Sequence, residues 1–447
     1  MVEPMRGRSE MPEGFWLLLF VYRLLAPFLF LGLLPGALFR AYRRGGGRGR
    51  WGERLGRFDL APEETIEGCV WVRSISVGET LVALRFVEAL RQSGWDGPVV
   101  LTATTATGVG VAEPRAGALS MRVLFNPLDF EGVIDGFLEL IHPKAICFVE
   151  GDFWPNLMHA ARVRGIPMHL VNARLSPRSA ARYACVREWL APLFAVFDSV
   201  QVADEAARAL WENVSLGRAR VRVSGNLKFD GERSLGGGVV LDRSEIATAG
   251  IEAWTEGLVL VAGSTHHGEE VWIARVWQMI CAAVPRVKLV IVPRHVERSG
   301  EVVRELMDAG FLVRRFSERG GGSGADSTVL LVDCTGVLRG WYALAAVAFV
   351  GRSVLARGGQ NPAEPVVAGA ATVVGPFMEN FEGITRELVA SGGLFQLREG
   401  EDAGKVMTDL LRDGERRARM VAAGRAVLSR HDGAAARAAD WVLDGIR

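Results

Sequence analysis

Glu79 stands where a carboxylate can serve as a base. It opens a helical pattern running to Gln92, behind Ser76, Val77 and Gly78 and close after the apolar run 69–72. A helix start favours negative charge, and a general base must be unprotonated before it acts. The competing reading is a first-turn glutamate that merely stabilises its own helix. Two further acid pairs, Glu150 with Asp152 and Asp230 with Glu232, fall where loops follow apolar runs. Their oxygens suit a divalent cation, yet the chain holds no Asp-x-Asp, so metal dependence is not expected. Asp152, close to Trp154, can instead position a hydroxyl-bearing acceptor.

A second group is cationic. Lys228, Ser264, His266, Arg294 and His295 lie at expected strand ends in the second half, where they can bind a phosphate, arginine by its fork and lysine as a point charge. Near them runs the stretch Val350 to Pro376. Its expected order is a buried strand (346–350), Gly351, Ser353, a turn at Gly358-Gly359, a short helix, and a second strand (371–374). Asn361 is placed to cap the helix, Pro362 to occupy its first position and Glu364 to complete a capping box. Such a turn would offer free N–H groups to an anion, with Glu364 left to hold sugar hydroxyls. The plainer alternative is a βαβ crossover whose glutamate only caps. Seven histidines without H-x-x-H spacing give no zinc signature. No Gly-x-Ser-x-Gly elbow, phosphate-binding P-loop or basic-aromatic array for nucleic acid is present.

These residues need strands that end in loops. Apolar runs at 69–72, 99–102, 145–149, 168–171 and 199–203 each end in polar or glycine residues, and helical patterns follow them. The rhythm restarts at 258–261, 287–292, 328–332, 346–350 and 371–374. That alternation predicts parallel sheets with working loops at the strand C-termini. At 447 residues two domains are expected, with a cleft between facing loop ends. The boundaries expected are an anchor and basic linker over 1–50, a first Rossmann-like domain over 51–225 and a second over 226–427. A closing helix over 428–447 is expected to pack back on the first. Trp154, Trp189, Trp211, Trp254 and Trp341 are core candidates. Five scattered cysteines without a C-x-x-C pair suit a reducing compartment.

Net charge is only +1, but its distribution is uneven. Phe15 to Leu34 is almost wholly apolar, interrupted by Tyr22, Arg23, Pro27 and Gly32. Arg40, Arg43, Arg44, Arg48, Arg50, Arg54 and Arg57 follow it. The arginine cluster that follows the apolar run argues against a signal peptide and is expected to place the rest in the cytoplasm. The run has the ~20 residues needed to span a bilayer, while Arg23 and Pro27 equally suit an interfacial helix. The arginines are expected to meet anionic lipid.

The motifs, taken in order, resemble one family: the 3-deoxy-D-manno-octulosonic acid (Kdo) transferases of lipopolysaccharide assembly. They are ERLG (53–56), SVGE (76–79), TTATG (104–108), EGDFWPN (150–156), VNARLSPRS (171–179) and SGNLKFD (224–230). AGSTHHGEE (262–270), VPRHVER (292–298), GGQNPAEP (358–365) and GPF…NF (375–381) complete the set. The resemblance implies a GT-B glycosyltransferase of two Rossmann-like domains, anchored by its N-terminus to the cytoplasmic face of the inner membrane. It implies CMP-Kdo as donor, a lipid A precursor as acceptor, and neither cofactor nor metal. Glu79 then matches the general base. Donor contacts are implied for Lys228, Ser264, His266, Arg294, His295, Gly351, Ser353, Gly358, Gly359, Asn361 and Glu364. Among these, Lys228 and Arg294 would stabilise the departing phosphate and Glu364 would hold the cytidine ribose. Acceptor contacts are implied for Ser76, Gly78, Thr105, Glu150, Asp152, Trp154, Asn172, Arg174 and Ser176.

Four positions depart from the family pattern. Gln360 stands for a histidine, Asp152 for a glutamate, Arg352 for a glycine and Arg73 for a histidine. The alternatives weighed are a GT-B transferase for another lipid acceptor, such as a GlcNAc transferase using a uridine nucleotide, and a non-hydrolysing sugar-nucleotide epimerase. A degenerate membrane-bound nucleotide binder is the third.

Overall fold

The computed structural model describes residues 14–26, 28, 50–58, 66–151, 153–175, 177–217, 220–230, 254, 257–318 and 328–446. They form two α/β units, one comprising residues 1–230 with 433–447 and the other residues 231–432.

In the first unit seven strands are β1 (Val70–Ser74), β2 (Val99–Ala103), β3 (Met121–Phe125), β4 (Ala145–Val149), β5 (Met168–Ala173), β6 (Ser199–Val202) and β7 (Val221–Val223). They pair in parallel in the order β3-β2-β1-β4-β5-β6-β7. β1, β2, β4, β5 and β6 are buried along their whole length. That burial is why they read as unbroken apolar runs rather than alternating ones. Strand order reverses between β1 and β4, and a doubly wound sheet opens its binding crevice at such a point.

The C-terminal helix Ala434–Ile446 lies against helix Val77–Gln92 in this unit, burying Ala434, Ala435, Ala438, Ala439, Val442 and Leu443. Asp230 holds it there, accepting the N–H groups of Gly433 at 2.7 Å and Ala435 at 2.6 Å. Arg85 donates to the carbonyls of Leu227, Lys228 and Asp230. The segment 226–230, expected in the second domain, is thereby tied to the first.

The second unit repeats the plan. Its strands are β8 (Val259–Thr265), β9 (Lys288–Pro293), β10 (Leu312–Arg315), β11 (Thr328–Leu331), β12 (Val347–Val350), β13 (Ala371–Val374) and β14 (Phe395–Gln396). All are parallel, in the order β10-β11-β9-β8-β12-β13-β14. Here the reversal lies between β8 and β12.

Helix 15–26 packs on the first unit through Phe15 and Leu19, which are buried, while Trp16, Leu17, Phe20, Val21, Leu24, Leu25 and Phe28 are exposed. Among the described residues no helix is long and apolar enough to cross a membrane. Arg40, Arg43, Arg44 and Arg48 lie outside the described residues. Arg50 and Arg54 are not left for lipid: Arg50 pairs with Glu53 and Glu113, and Arg54 donates to the Thr104 carbonyl at 2.7 Å. Glu53 in turn accepts the Phe125 N–H at 2.8 Å, so the ERLG motif anchors the end of β3. Trp189 is 61% exposed rather than core, because helix Arg187–Phe194 buries its Ala191–Phe194 side.

Candidate functional site

β1 delivers Ser76 to the start of helix Val77–Gln92 with an extended backbone (φ −109°, ψ 169°). A complete capping box follows. Ser76 Oγ accepts the Glu79 N–H at 3.4 Å, and Glu79 Oε2 accepts the N–H of Ile75 at 2.6 Å and of Ser76 at 3.4 Å. Glu79 therefore performs its capping role, and the same carboxylate lines an open cavity of about 320 Å³. Gly78 leaves room over this turn, since an added Cβ would meet only Ser76 Oγ, at 4.0 Å. Thr105 caps the neighbouring helix Ala106–Ala112, accepting the Gly108 N–H at 3.1 Å.

Across the switch point, Glu150 follows β4 with φ at 66°, and Asn172 sits in β5 with φ at 54°, at a register shift between β5 and β6. Left-handed backbone at residues other than glycine is strained and concentrates at functional sites. A network supports both: Asn172 Nδ2 donates to Glu150 at 3.4 Å, Arg174 Nη1 donates to Glu150 at 3.3 Å, and Asn172 Oδ1 accepts the Leu227 N–H at 3.0 Å. Lys228 lies in this first unit, where burial lowers its ammonium from the usual lysine range and Glu150 opposes the shift. Trp154 is half-buried under the guanidinium of Arg73, which is itself buried among Trp71, Phe148 and Trp154 at 5.1, 5.5 and 6.0 Å from the ring centroids. Asp152 and Ser176 lie outside the described residues.

The cavity also takes Phe153, Ser179, Tyr183 and Trp211, none of which sequence reasoning assigned to a site. Ser179 closes the VNARLSPRS motif and was within reach of it. Tyr183 and Trp211 come from helices Pro177–Ala184 and Glu205–Val214, whose patterns carry no chemical signature.

In the second unit, Ser264 interrupts β8 with φ at 55°, at a register shift against β9. The shift turns the chain toward His266, whose ring lies 5.7 Å from that of His295, edge to face. Burial above all lowers the His266 imidazole from its usual range. Arg294 and His295 follow β9 and are exposed. Gly351 follows β12 where an added Cβ would stand 2.5 Å from the Ser264 carbonyl oxygen.

The loop beyond differs from the expected cradle. Gly358 and Gly359 have φ of 117° and 70°. Their N–H groups already have partners, Gly358 donating to Glu379 at 2.8 Å and Gly359 to the Arg352 carbonyl at 2.8 Å. Added Cβ atoms would meet Asn380 Nδ2 at 2.6 Å and Met378 Sδ at 2.5 Å. The glycine pair thus admits the GPF…NF segment rather than presenting free donors. Helix Ala363–Ala368 has six residues, and its cap position is Pro362, not Asn361. Asn361 still accepts the Ala363 N–H at 3.0 Å and donates to the half-buried Glu364 at 3.4 Å. Ser353 is sealed: its N–H goes to Glu269, its hydroxyl donates to the Val350 carbonyl at 2.6 Å and accepts the Gly375 N–H at 2.9 Å. Arg352 has φ of 57°, which explains why glycine is usual there.

The chain is similar to known proteins along most of its length. Residues 49–231 match the family described as 3-deoxy-D-manno-octulosonic-acid transferase (kdotransferase). A 3-deoxy-D-manno-octulosonic acid transferase from Bordetella pertussis is 33% identical over 434 residues, covering 94% of this chain and 96% of that one. One from Haemophilus influenzae is 29% identical over 400 residues, covering 88% and 90%. Among solved structures, a UDP-GlcNAc 2-epimerase from Neisseria meningitidis superposes with a TM-score of 0.55 at 14% identity, covering 84% of this chain and 98% of that one. That likeness is one of fold. The sequence relationship is closer and spans both units: the chain belongs to the 3-deoxy-D-manno-octulosonic acid transferases.

Proposed function

We propose that this chain moves Kdo from CMP-Kdo to a lipid A precursor, lipid IVA, as an inverting, metal-independent GT-B glycosyltransferase. Family membership supports the donor and the reaction. The acceptor, the absence of a metal and the residue roles are the further reading. The observation that carries it is Glu79 at the β1–β4 switch point, fixed by backbone donors and facing a cavity that also takes Glu150 and Arg174.

In this reading the first unit holds the acceptor and the second the donor. Glu79 accepts the proton of an acceptor hydroxyl as its oxygen attacks the anomeric carbon. The bond from that carbon to the phosphate oxygen breaks, and CMP leaves with the electron pair. Arg294 balances the departing phosphate, while Ser264, His266, His295 and Asn361 line its site and Glu364 holds the ribose. Gly351, Ser353, Gly358 and Gly359 shape the loops. Glu150, Arg174, Asn172, Trp154, Ser76, Gly78, Thr105, Asp152 and Ser176 position the acceptor. A monophosphate leaving group can be stabilised by fixed cations and dipoles in place of a metal. Helix 15–26 lies in the lipid interface at the cytoplasmic face of the inner membrane, with Phe20 (65% exposed) and Phe28 (70%) on its lipid side.

The test incubates the full chain with CMP-Kdo generated in situ and a tetraacyl lipid A precursor, then weighs the products. The expected result is acceptor mass raised by Kdo, unchanged by EDTA. No mass gain, or gain only with added metal, would refute the reading.

A further inference from the structure

The N-terminal helix does more than rest on the first unit. The Tyr22 hydroxyl and the carboxylate of Asp129 interact electrostatically. Next to it, Arg23 Nε donates to Asn156 Oδ1 at 2.7 Å and its Nη2 pairs with Glu131 at 3.0 Å. One turn or more earlier, Trp16 meets His159 edge to face, with ring centroids 5.0 Å apart.

Asp129 and Asn156 are both buried, and they are bound to each other. Asp129 accepts the N–H groups of Asn156 at 3.0 Å and Leu157 at 2.9 Å, and Asn156 Nδ2 donates to the Asp129 carbonyl at 2.6 Å. Asp129 thus caps helix Pro155–Val163 from a distant loop, satisfying donors that a helix start leaves over. Asn156 is the last residue of the EGDFWPN motif. Three residues before it, Phe153 lines the Glu79 cavity, and Trp154 lies beside the Arg73 guanidinium. Arg73 also interacts electrostatically with both Tyr22 and Asp129. The lipid-side residues and the holding residues therefore share one short helix.

We propose that Tyr22 and Arg23 are positioning residues for the acceptor site, holding the Asp129–Asn156 node so that Phe153 keeps its place in the cavity wall and Trp154 its place beside Arg73. This rests on the acceptor reading above. A helix that served only as a tether would need exposed apolar residues, not a charged hydrogen bond to a buried asparagine. Charge-assisted bonds of this kind are among the stronger ones, and their loss leaves a buried group unsatisfied.

The test uses full-length chain in mixed detergent micelles, with Arg23→Gln and Tyr22→Phe as variants and Phe20→Ala as the lipid-side control. The readouts are KM and kcat for a tetraacyl bisphosphorylated glucosamine disaccharide, CMP affinity, vesicle binding, and amide exchange at Asn156 and Leu157. Arg23→Gln should raise KM for the acceptor about tenfold, the equivalent of one lost hydrogen bond, with CMP affinity unchanged and exchange at both amides accelerated. Tyr22→Phe should act in the same direction more weakly. Phe20→Ala should weaken vesicle binding and leave exchange at Asn156 as in the parent. Parent-like KM and exchange in both latch variants would overturn the proposal, as would a loss of CMP affinity equal to the loss for acceptor. Should Arg23→Gln fail to fold, Tyr22→Phe decides by the same readouts. If the parent transfers nothing, the functional reading falls, and exchange at Asn156 and Leu157 alone still supports or overturns the latch.

Discussion

The carboxylate of Glu269 accepts the N–H of Ser353 at 2.9 Å, joining the start of a helix after β8 to the loop after β12. The same carboxylate takes the N–H groups of Arg352 at 2.6 Å, Val354 at 3.2 Å and His266 at 3.0 Å. Glu269 is fully buried, so its internal anion fills a nest that would otherwise invite an external one. Glu269→Ala should cost about 3 kcal/mol, since orphaned buried donors each carry a desolvation penalty. Urea titration measures it; a loss below about 1 kcal/mol would show that the loop stands without this anchor.

Glu79 caps its helix and, in the proposed reading, serves as the base; two substitutions separate these roles. Glu79→Gln keeps an oxygen for the Ile75 and Ser76 donors but cannot take a proton. It should leave stability nearly unchanged and lower turnover by about 10²–10⁴. Glu79→Ala should lose both turnover and about 1 kcal/mol of capping. Equal turnover in Gln and parent enzymes would remove Glu79 from the base role.

Glycines in the second unit are of two kinds. An added Cβ at Gly375 would stand 2.0 Å from the Ser353 carbonyl oxygen, whereas one at Gly300, inside helix Ser299–Asp308, meets nothing within 4 Å. Gly375→Ala should destabilise by about 2 kcal/mol or more. Gly300→Ala should stabilise by about 0.5–1 kcal/mol. Thermal melts of both variants give the comparison, and the same sign for both would contradict the packing described.

The His266 imidazole is held below its usual range chiefly by burial, with Arg352 and His295 adding to the effect and the Ser264 carbonyl and Glu269 opposing it. The unfolded chain therefore takes up this proton near pH 6.5, before the folded chain does. Above that pH the two states carry equal charge here and no stability is at stake. As pH falls through about 6.5 the unfolded state is favoured, so stability is lost on the acid side. His266→Gln should shrink the difference between denaturation midpoints at pH 7.5 and 5.5. An unchanged difference would assign the acid sensitivity elsewhere.

The strands that sequence reasoning found and those it missed divide on one physical line. β1, β2, β4, β5, β6, β8, β9, β11, β12 and β13 were legible as apolar runs. β3, β7, β10 and β14 were not, and these are the four edges of the two sheets. An edge strand is covered less completely, so it tolerates Arg122 in β3, Arg222 in β7 and the Arg314-Arg315 pair in β10. Site residues followed a similar rule. The candidates Glu150, Asn172, Ser264 and His266 stand at or next to strand ends and Glu79 in the helix turn after one, places that periodicity reveals. The free N–H groups expected at Gly358 and Gly359 depended on partners remote in sequence, Glu379 among them, and a local pattern cannot report those. Arg85, Glu269 and Asp129 escaped notice for the same reason, because each acts on backbone far along the chain.

Asp230 reaches over to Gly433 and Ala435, so the polypeptide leaves the first unit and rejoins it at the same stitch. Residues 231–432 are in effect a cassette sewn into a continuous host. Excising them and bridging the gap with a short glycine-serine link should yield a fragment that folds with its final helix in place, and cutting the Asp230 stitch should let that helix peel away first.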